Sequence, residues 1–159
     1  MKIYFESTML SKLQEFEKPV LFVGIGNRDS GDDAIGPEII KMIKEAKLPL
    51  NAIDCGMMPE NYFKDIASYR PKTVVFIDAV AMNKAPGTLD LFESDKIESF
   101  SVSTHGISLG MIAEYLKAEL KTKVYLLGIQ PKSIKQGDMI SEEVTKTVSK
   151  LINTLKELF

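Results

Sequence analysis

"PVLFVGIGNRDSGDDAIGPEII", Pro19 to Ile40, carries the decisive reading. It opens with an apolar run closed by glycine, the pattern of a strand buried on both faces. It closes with Pro37 and Glu38 at a helix start, and "EIIKMIKEA" continues with helical period. Between them lies "GNRDSGDD", Gly26 to Asp33, with the G-x-x-x-x-G spacing of a phosphate-binding P-loop. A P-loop surrounds an anion with backbone N–H groups and a lysine. Here Asp32 and Asp33 stand where Lys-Ser or Lys-Thr should follow, and Asp29, Asp32 and Asp33 face a single Arg28. A strand-to-helix loop with its charge inverted reads as a cation site.

Outward from this stretch, the chain alternates strands with helices. A short amphipathic helix is expected through Met9, Leu10, Leu13 and Phe16, ending before Pro19. "LNAIDCG" reads as a second strand, "PENYFKDIASYR" as a short helix ended by Pro71, and "KTVVFIDAV" as a third strand. "GTLDLF" follows a Pro86-Gly87 turn and reads as an edge strand. That turn is too short for a crossover helix, so the edge strand should run antiparallel. "GISLGMIAEYLKAEL" is helical, "KVYLLGIQ" is a strand, and "SEEVTKTVSKLINTLKEL" is a closing helix with a Ser-x-x-Val start rather than a full capping box. The expected fold is a three-layer α/β/α arrangement. Its central sheet is twisted, mostly parallel and of about five strands, with one antiparallel edge strand. No repeat, low-complexity tract or linker interrupts residues 1–159, so one domain is expected.

The bulk composition narrows the class. The chain has 159 residues, 45% hydrophobic and 26% charged, enough to close a core without covalent staples. A net charge of −2 gives no bulk attraction to nucleic acid or anionic membrane. No apolar run approaches the roughly 20 residues of a membrane span, and the charged N-terminus lacks a signal-peptide core. One cysteine, Cys55, excludes an intrachain disulfide framework and any Cys-rich zinc site. The expectation is a cytoplasmic protein without membrane insertion or nucleic-acid partner, with a monomer as the working assumption.

Ligands of parallel sheets bind beyond the carboxyl ends of the strands. Asp29, Asp32 and Asp33 follow the first strand, Asp54 and Cys55 end the second, and Asp78 ends the third. His105, the only histidine, opens the long helix in "STHGISLG". Carboxylates meeting on one rim repel unless a cation or a proton sits among them. Carboxylates with one imidazole suit a borderline divalent metal such as nickel or zinc better than magnesium. Each residue also has a plainer reading. Asp29 and Asp54 are natural turn formers, and Asp32 can satisfy loop N–H groups. A lone histidine often caps a helix, and Cys55 reads as a small buried hydrophobe.

Two motifs mislead. "GISLG", Gly106 to Gly110, matches the G-x-S-x-G nucleophile elbow, yet no histidine follows Ser108. "GIGNRD" is not the dinucleotide fingerprint, because Asp29 occupies the third glycine's place.

"GIGNRDSGDDAIGPEI", "DCGMMPENY", "VVFIDAV", "STHGISLG" and "LLGIQPK" occur in the order expected of the nickel–iron hydrogenase maturation endopeptidases. The chain resembles that family from about Pro19 to Lys132, with G-N-x-x-x-G-D-D-x-x-G-P the specific segment. The "DCG…PEN" and "LGIQP" segments resemble the branch serving membrane-associated or hydrogen-evolving hydrogenases. The resemblance implies an endopeptidase that removes the C-terminal extension of a hydrogenase large-subunit precursor after nickel insertion. It also implies a metal and catalytic site of two acids and one histidine, which by motif fall on Asp33, Asp78 and His105. The nickel it implies is carried by the substrate rather than held permanently. Carboxylate-rich sites with one imidazole hold transition metals less firmly than His₃ or Cys₄ sites, which suits a checkpoint. The nucleophile expected is a water, polarised by nickel or by a carboxylate; an Asp33–Asp78 dyad sharing a proton is the second possibility. Ala34 departs from the glycine often found after the acid pair.

Two other classes imitate parts of the pattern. A response-regulator receiver domain would use Asp32-Asp33, Asp78 and Lys132, but gives His105 no role. A peptidyl-tRNA hydrolase-like enzyme is prompted by "GIGN" with Asn27, but it needs a positive groove where this rim is acidic.

Overall fold

The computed structural model describes Met9 and residues 11–99 and 106–159. Five strands form one sheet: β1 (Val20–Gly24), β2 (Asn51–Asp54), β3 (Thr73–Ala79), β4 (Leu89–Glu93) and β5 (Lys123–Ile129). Their order across the sheet is β2-β1-β3-β5-β4, all parallel except β4, which pairs antiparallel with β5. Three of the helices among the described residues lie between strands, α1 (Ile35–Glu45), α2 (Phe63–Ser68) and α3 (Gly106–Leu120), and α4 (Glu142–Leu158) follows β5.

Strand position explains strand composition. Interior strands covered on both faces have no polar side to show, and β1 and β3 are buried at every residue. Val20, Phe22, Val75, Ile77, Leu127 and Ile129 point to one face, where they pack against α1 and α4. Leu21, Val23, Val74, Phe76, Val124 and Leu126 point to the other, against α2 and α3. The period of two in strand side chains thus builds two cores and three layers from unbroken apolar runs. Residues 11–15 are helical, and Met9, Leu13 and Phe16 are buried in the α1–α4 core. Leu10 lies outside the described residues. The Phe16 ring packs 4.6 Å from that of Tyr125 on β5.

The edge strand runs antiparallel as expected, but the route differs. The chain leaving β3 does not turn back to pair with it. Residues 80–88 cross the carboxyl end of β5 and deliver β4 to that strand's far side. Gln130 secures the crossing: its side-chain oxygen accepts Met82 N–H at 2.5 Å, and its backbone N–H donates to Thr88 O at 2.8 Å. The "PENYF" segment also refines: Pro59–Tyr62 is a 3₁₀ turn that leads into α2.

Glycines set the start of α1. A Cβ on Gly24 would lie 2.5 Å from Gly36 O, and one on Gly36 would lie 2.5 Å from Ile77 O. Only bare backbone allows α1 to begin directly over the ends of β1 and β3. That contact fixes the acidic turn at the rim of the sheet.

Candidate functional site at the strand ends

All four parallel strands end on one edge, with Gly24 in register between Asp54 and Ile77, and Asp78 opposite Gly128. A 3₁₀ turn, Gly31–Ala34, carries Asp32 and Asp33 and packs against β3, the strand that holds Asp78. Ile25 N–H donates to Ile77 O at 3.0 Å and Gly26 N–H to Gly56 O at 2.9 Å, so the loop before the turn is bonded to both neighbouring strand ends. Gly26 has φ +147°, and a Cβ there would sit 1.8 Å from Asp33 O. Glycine is required at this point for close approach as well as for conformation.

The two adjacent aspartates have different surroundings. Asp32 is 1% exposed and saturated. Its Oδ2 accepts Lys132 N–H (2.8 Å), Ser133 N–H (3.3 Å) and Ser141 Oγ–H (2.9 Å), and its Oδ1 accepts Ser141 N–H (2.7 Å). One carboxylate therefore holds both ends of the loop between β5 and α4. Its role is the satisfaction of loop N–H groups. Asp33 is 7% exposed, and its Oδ2 accepts Asn27 N–H at 3.0 Å. Among the described residues its Oδ1 accepts no hydrogen bond and the side chain makes no ion pair. Asp78 is fully buried at the carboxyl end of β3, where its Oδ1 accepts Ala79 N–H at 2.8 Å. His105 lies outside the described residues. Among the described residues no three His, Cys, Asp or Glu side chains are grouped to hold a metal.

The remaining strand-end groups are occupied elsewhere. Arg28 does not neutralise the acidic turn; it pairs with Asp54, whose Oδ1 also accepts Gly56 N–H at 2.9 Å. Asp29 is exposed, and its N–H donates to Asn27 Oδ1 at 2.9 Å, an Asx turn. Cys55 is buried, and burial, helped by the charges of Asp54 and Asp65, pushes its thiol up to about 12. An activated thiolate is excluded by that environment. Ala34 adopts φ −75°, a right-handed conformation any residue accepts, so the missing glycine costs the turn nothing. Lys132, which a receiver domain would aim at its acids, pairs instead with Glu143 on α4 at 3.0 Å.

Sequence reading missed one component, the loop "KSIKQGDMIS" from Lys132 to Ser141, to which it assigned no role. Ile134, Met139 and Ile140 were the available signal, three apolar residues in a loop that no helix or strand accounts for.

An α/β sheet with acids at the strand ends and a glycine-bound acidic turn delimits the class, and comparison with known proteins is specific. The crystal structure of a [NiFe] hydrogenase maturation protease HycI from Thermococcus kodakarensis superposes with a TM-score of 0.79 at 32% identity, covering 92% of this chain and 97% of that one. The solution structure of the endopeptidase HycI from Escherichia coli gives 0.79 at 27% identity, covering 87% and 89%. A Methanocaldococcus jannaschii protein named as a candidate hydrogenase maturation protease is 35% identical over 159 residues, 94% of this chain and 93% of its own. The family model described as hydrogenase maturation protease matches residues 37–157. This chain belongs to the hydrogenase maturation protease family, and it is a peptidase. No described helix is long and apolar enough to cross a membrane.

Proposed function

We propose that this peptidase removes the C-terminal extension of a nickel–iron hydrogenase large-subunit precursor once nickel is in place, and that Asp33, Asp78 and His105 contact the nickel carried by that substrate. The observation that carries the reading is the state of Asp33. It sits in the acidic turn against β3 with one carboxylate oxygen taking a backbone N–H and the other taking none among the described residues. A side chain needed only for the fold would be expected to be saturated, as Asp32 is. Two carboxylates and an imidazole form a donor set that fits a borderline divalent metal and leaves coordination positions open. When bound, such a metal polarises a carbonyl or lowers the pKa of a water.

The roles of the chain's own residues follow from their settings. Asn27 N–H fixes Asp33 Oδ2, so the carboxylate is oriented before substrate arrives. The Ala79 N–H bond does the same for Asp78 at the base of the rim. The attacking water is placed beside Asp33, which takes up its proton as the peptide carbonyl is attacked.

The test joins metal content with activity. The purified enzyme is assayed for nickel and zinc, then mixed with large-subunit precursor with and without nickel loaded. The expected result is a metal-poor enzyme that cuts only loaded precursor, and loss of cutting in Asp33→Asn. Tightly held zinc with cleavage indifferent to nickel would overturn the sensing role.

A further inference from the structure

The turn that carries Asp33 is a 3₁₀ helix of four residues, Gly31–Ala34. The first N–H groups of any such turn find no acceptor inside it, and a side chain at the N-cap usually takes one of them. Here the cap residue, Ser30, makes no side-chain bond to the turn. The acceptors come from the loop between β5 and α4. Gly31 N–H donates to Asp138 O at 3.1 Å, and Asp32 N–H donates to Ser133 O at 2.8 Å. Just before the turn, Asp29 O accepts Gly137 N–H at 2.8 Å. Gly31 has φ +55°, and a Cβ there would lie 2.5 Å from Ser133 O, so turn and loop meet as bare backbone.

These bonds run in the opposite sense to those of the Asp32 carboxylate. The carboxylate gathers the ends of the loop through Lys132, Ser133 and Ser141. The loop carbonyls in turn hold the N–H groups of the acidic turn, which closing the loop alone would not require. Ser141 is also the N-cap of α4, whose Val144, Val148 and Leu151 are buried in the core it shares with α1. The turn is thereby tied to a packed helix. On its other side, Asn27 N–H bonds Asp33 Oδ2, and Gly26 lies against Asp33 O. The backbone of Asp33 is thus gripped from two directions, and only one of them belongs to the loop that follows β1.

We propose that the loop from Lys132 to Ser141 is a positioning device for Asp33, latched by the Asp32 carboxylate and the Ser141 hydroxyl. The inference rests on the reading of Asp33 as part of the cleavage site. Asp32 and Ser141 are positioning residues: they act through the backbone of the turn and touch neither substrate nor metal. Displacing a reacting group by about 1 Å can cost about 10²-fold in rate, so loosening the latch slows the chemical step and leaves substrate binding alone.

The test is steady-state processing of nickel-loaded precursor, run well below each variant's melting temperature. Asp32→Asn keeps the shape of the side chain but sets an amide NH₂ where a donor already points, because both oxygens of Asp32 accept. Its kcat should fall by about tenfold or more, with KM within about twofold of wild type. Ser141→Ala, the milder variant should Asp32→Asn not fold, removes one bond and should lower kcat roughly fivefold. Ser141→Thr, which keeps the hydroxyl, should restore it. Ile152→Val, which removes one methyl from the α1–α4 core, should lower the melting temperature and leave kcat unchanged. In the free enzyme the Asn27 amide resonance should shift in Ser141→Ala, since that N–H reports the bond to Asp33 rather than one to the loop. A kcat within about twofold of wild type in both Asp32→Asn and Ser141→Ala, with Asp33→Asn inactive, would overturn the latch and leave the cleavage-site reading standing. So would an equal fall of kcat in Ile152→Val, or a raised KM at unchanged kcat, which would put the loop in contact with substrate. Full processing by Asp33→Asn would overturn the cleavage-site reading, and the positioning role with it.

Discussion

The turns that follow β1 and β2 have features in common, each carrying a glycine at positive φ (Gly26 and Gly56) and at least one hydrogen-bonded aspartate. They end differently. After β2, Asp54 spends both oxygens, one on Arg28 and one on Gly56 N–H, and Cys55 turns inward with its thiol pushed up to about 12. After β1, Asp32 is saturated in the same manner, but its neighbour Asp33 accepts one backbone N–H and no more among the described residues. Residue type does not separate scaffold from site here. What differs between Asp32 and Asp33 is the number of donors that reach each carboxylate, the basis of the proposed division into scaffold and site.

Substituting the two neighbours in turn is the strongest way to break that comparison. Asp33→Asn should lower precursor processing by about 10²–10⁴-fold while moving stability by less than about 1 kcal/mol, read by gel-shift kinetics and urea melts on the same preparation. A large stability loss with retained processing would reverse the two roles. Asp32→Ala should do the opposite in urea. It leaves three backbone N–H groups and a hydroxyl without their acceptor, a loss of about 3 kcal/mol. Amide hydrogen exchange at Lys132, Ser133 and Ser141 should speed up selectively, and uniform exchange across the chain would argue against the latch.

The β2 turn gives smaller effects. Cys55 is neutral in both folded and unfolded chains below pH 9. Its folded-state pKa is raised, from 9.0 to about 12, so the unfolded chain loses the proton first. Stability should hold below pH 9 and decline as pH rises toward 12, and Cys55→Ala should flatten that limb of the pH–stability curve. Processing should be unaffected by thiol alkylating reagents under native conditions near pH 8. Arg28→Ala should have the smallest effect, at most about 1 kcal/mol in the same melts, because the Arg28 side chain is largely exposed and its pair with Asp54 is screened by solvent. A greater loss would mean that Arg28 braces the acidic turn through Asp54.

Much of the fold was legible because its signals are local. "VLFVG" and "TVVFIDA" are apolar at nearly every position, which only strands covered on both faces permit, and both are interior strands of the sheet. The three layers follow from strands alternating with helices. The place of β4 beyond β5 was not legible. An alternating stretch after a tight turn carries no record of which strand it will meet, and the crossing depends on Gln130, over forty positions later. Ser141 shows the same limit. It sits at the N-cap of α4, as the Ser-x-x-Val start suggested, yet its hydroxyl donates to Asp32 rather than to the helix. The candidate site was legible as a set of acids in and near the strand-end loops, and the family comparison supports the peptidase reading that the resemblance of the motif segments implied. His105, the third residue of the set, lies outside the described residues.

The sequence by itself determined the strand and helix alternation, the two-faced burial of the central strands, and an acidic turn where a phosphate loop would be basic. These depend on side chains acting with near neighbours, so composition and period suffice. Only the tertiary structure decided which acid in "GDD" is bonded to the loop between β5 and α4 and which accepts a single backbone N–H among the described residues. That choice rests on amide groups 100 and 109 positions further along the chain, brought to Asp32 by the fold. Two identical carboxylates side by side have the same intrinsic chemistry; their different roles are set by the distant donors that reach one and not the other.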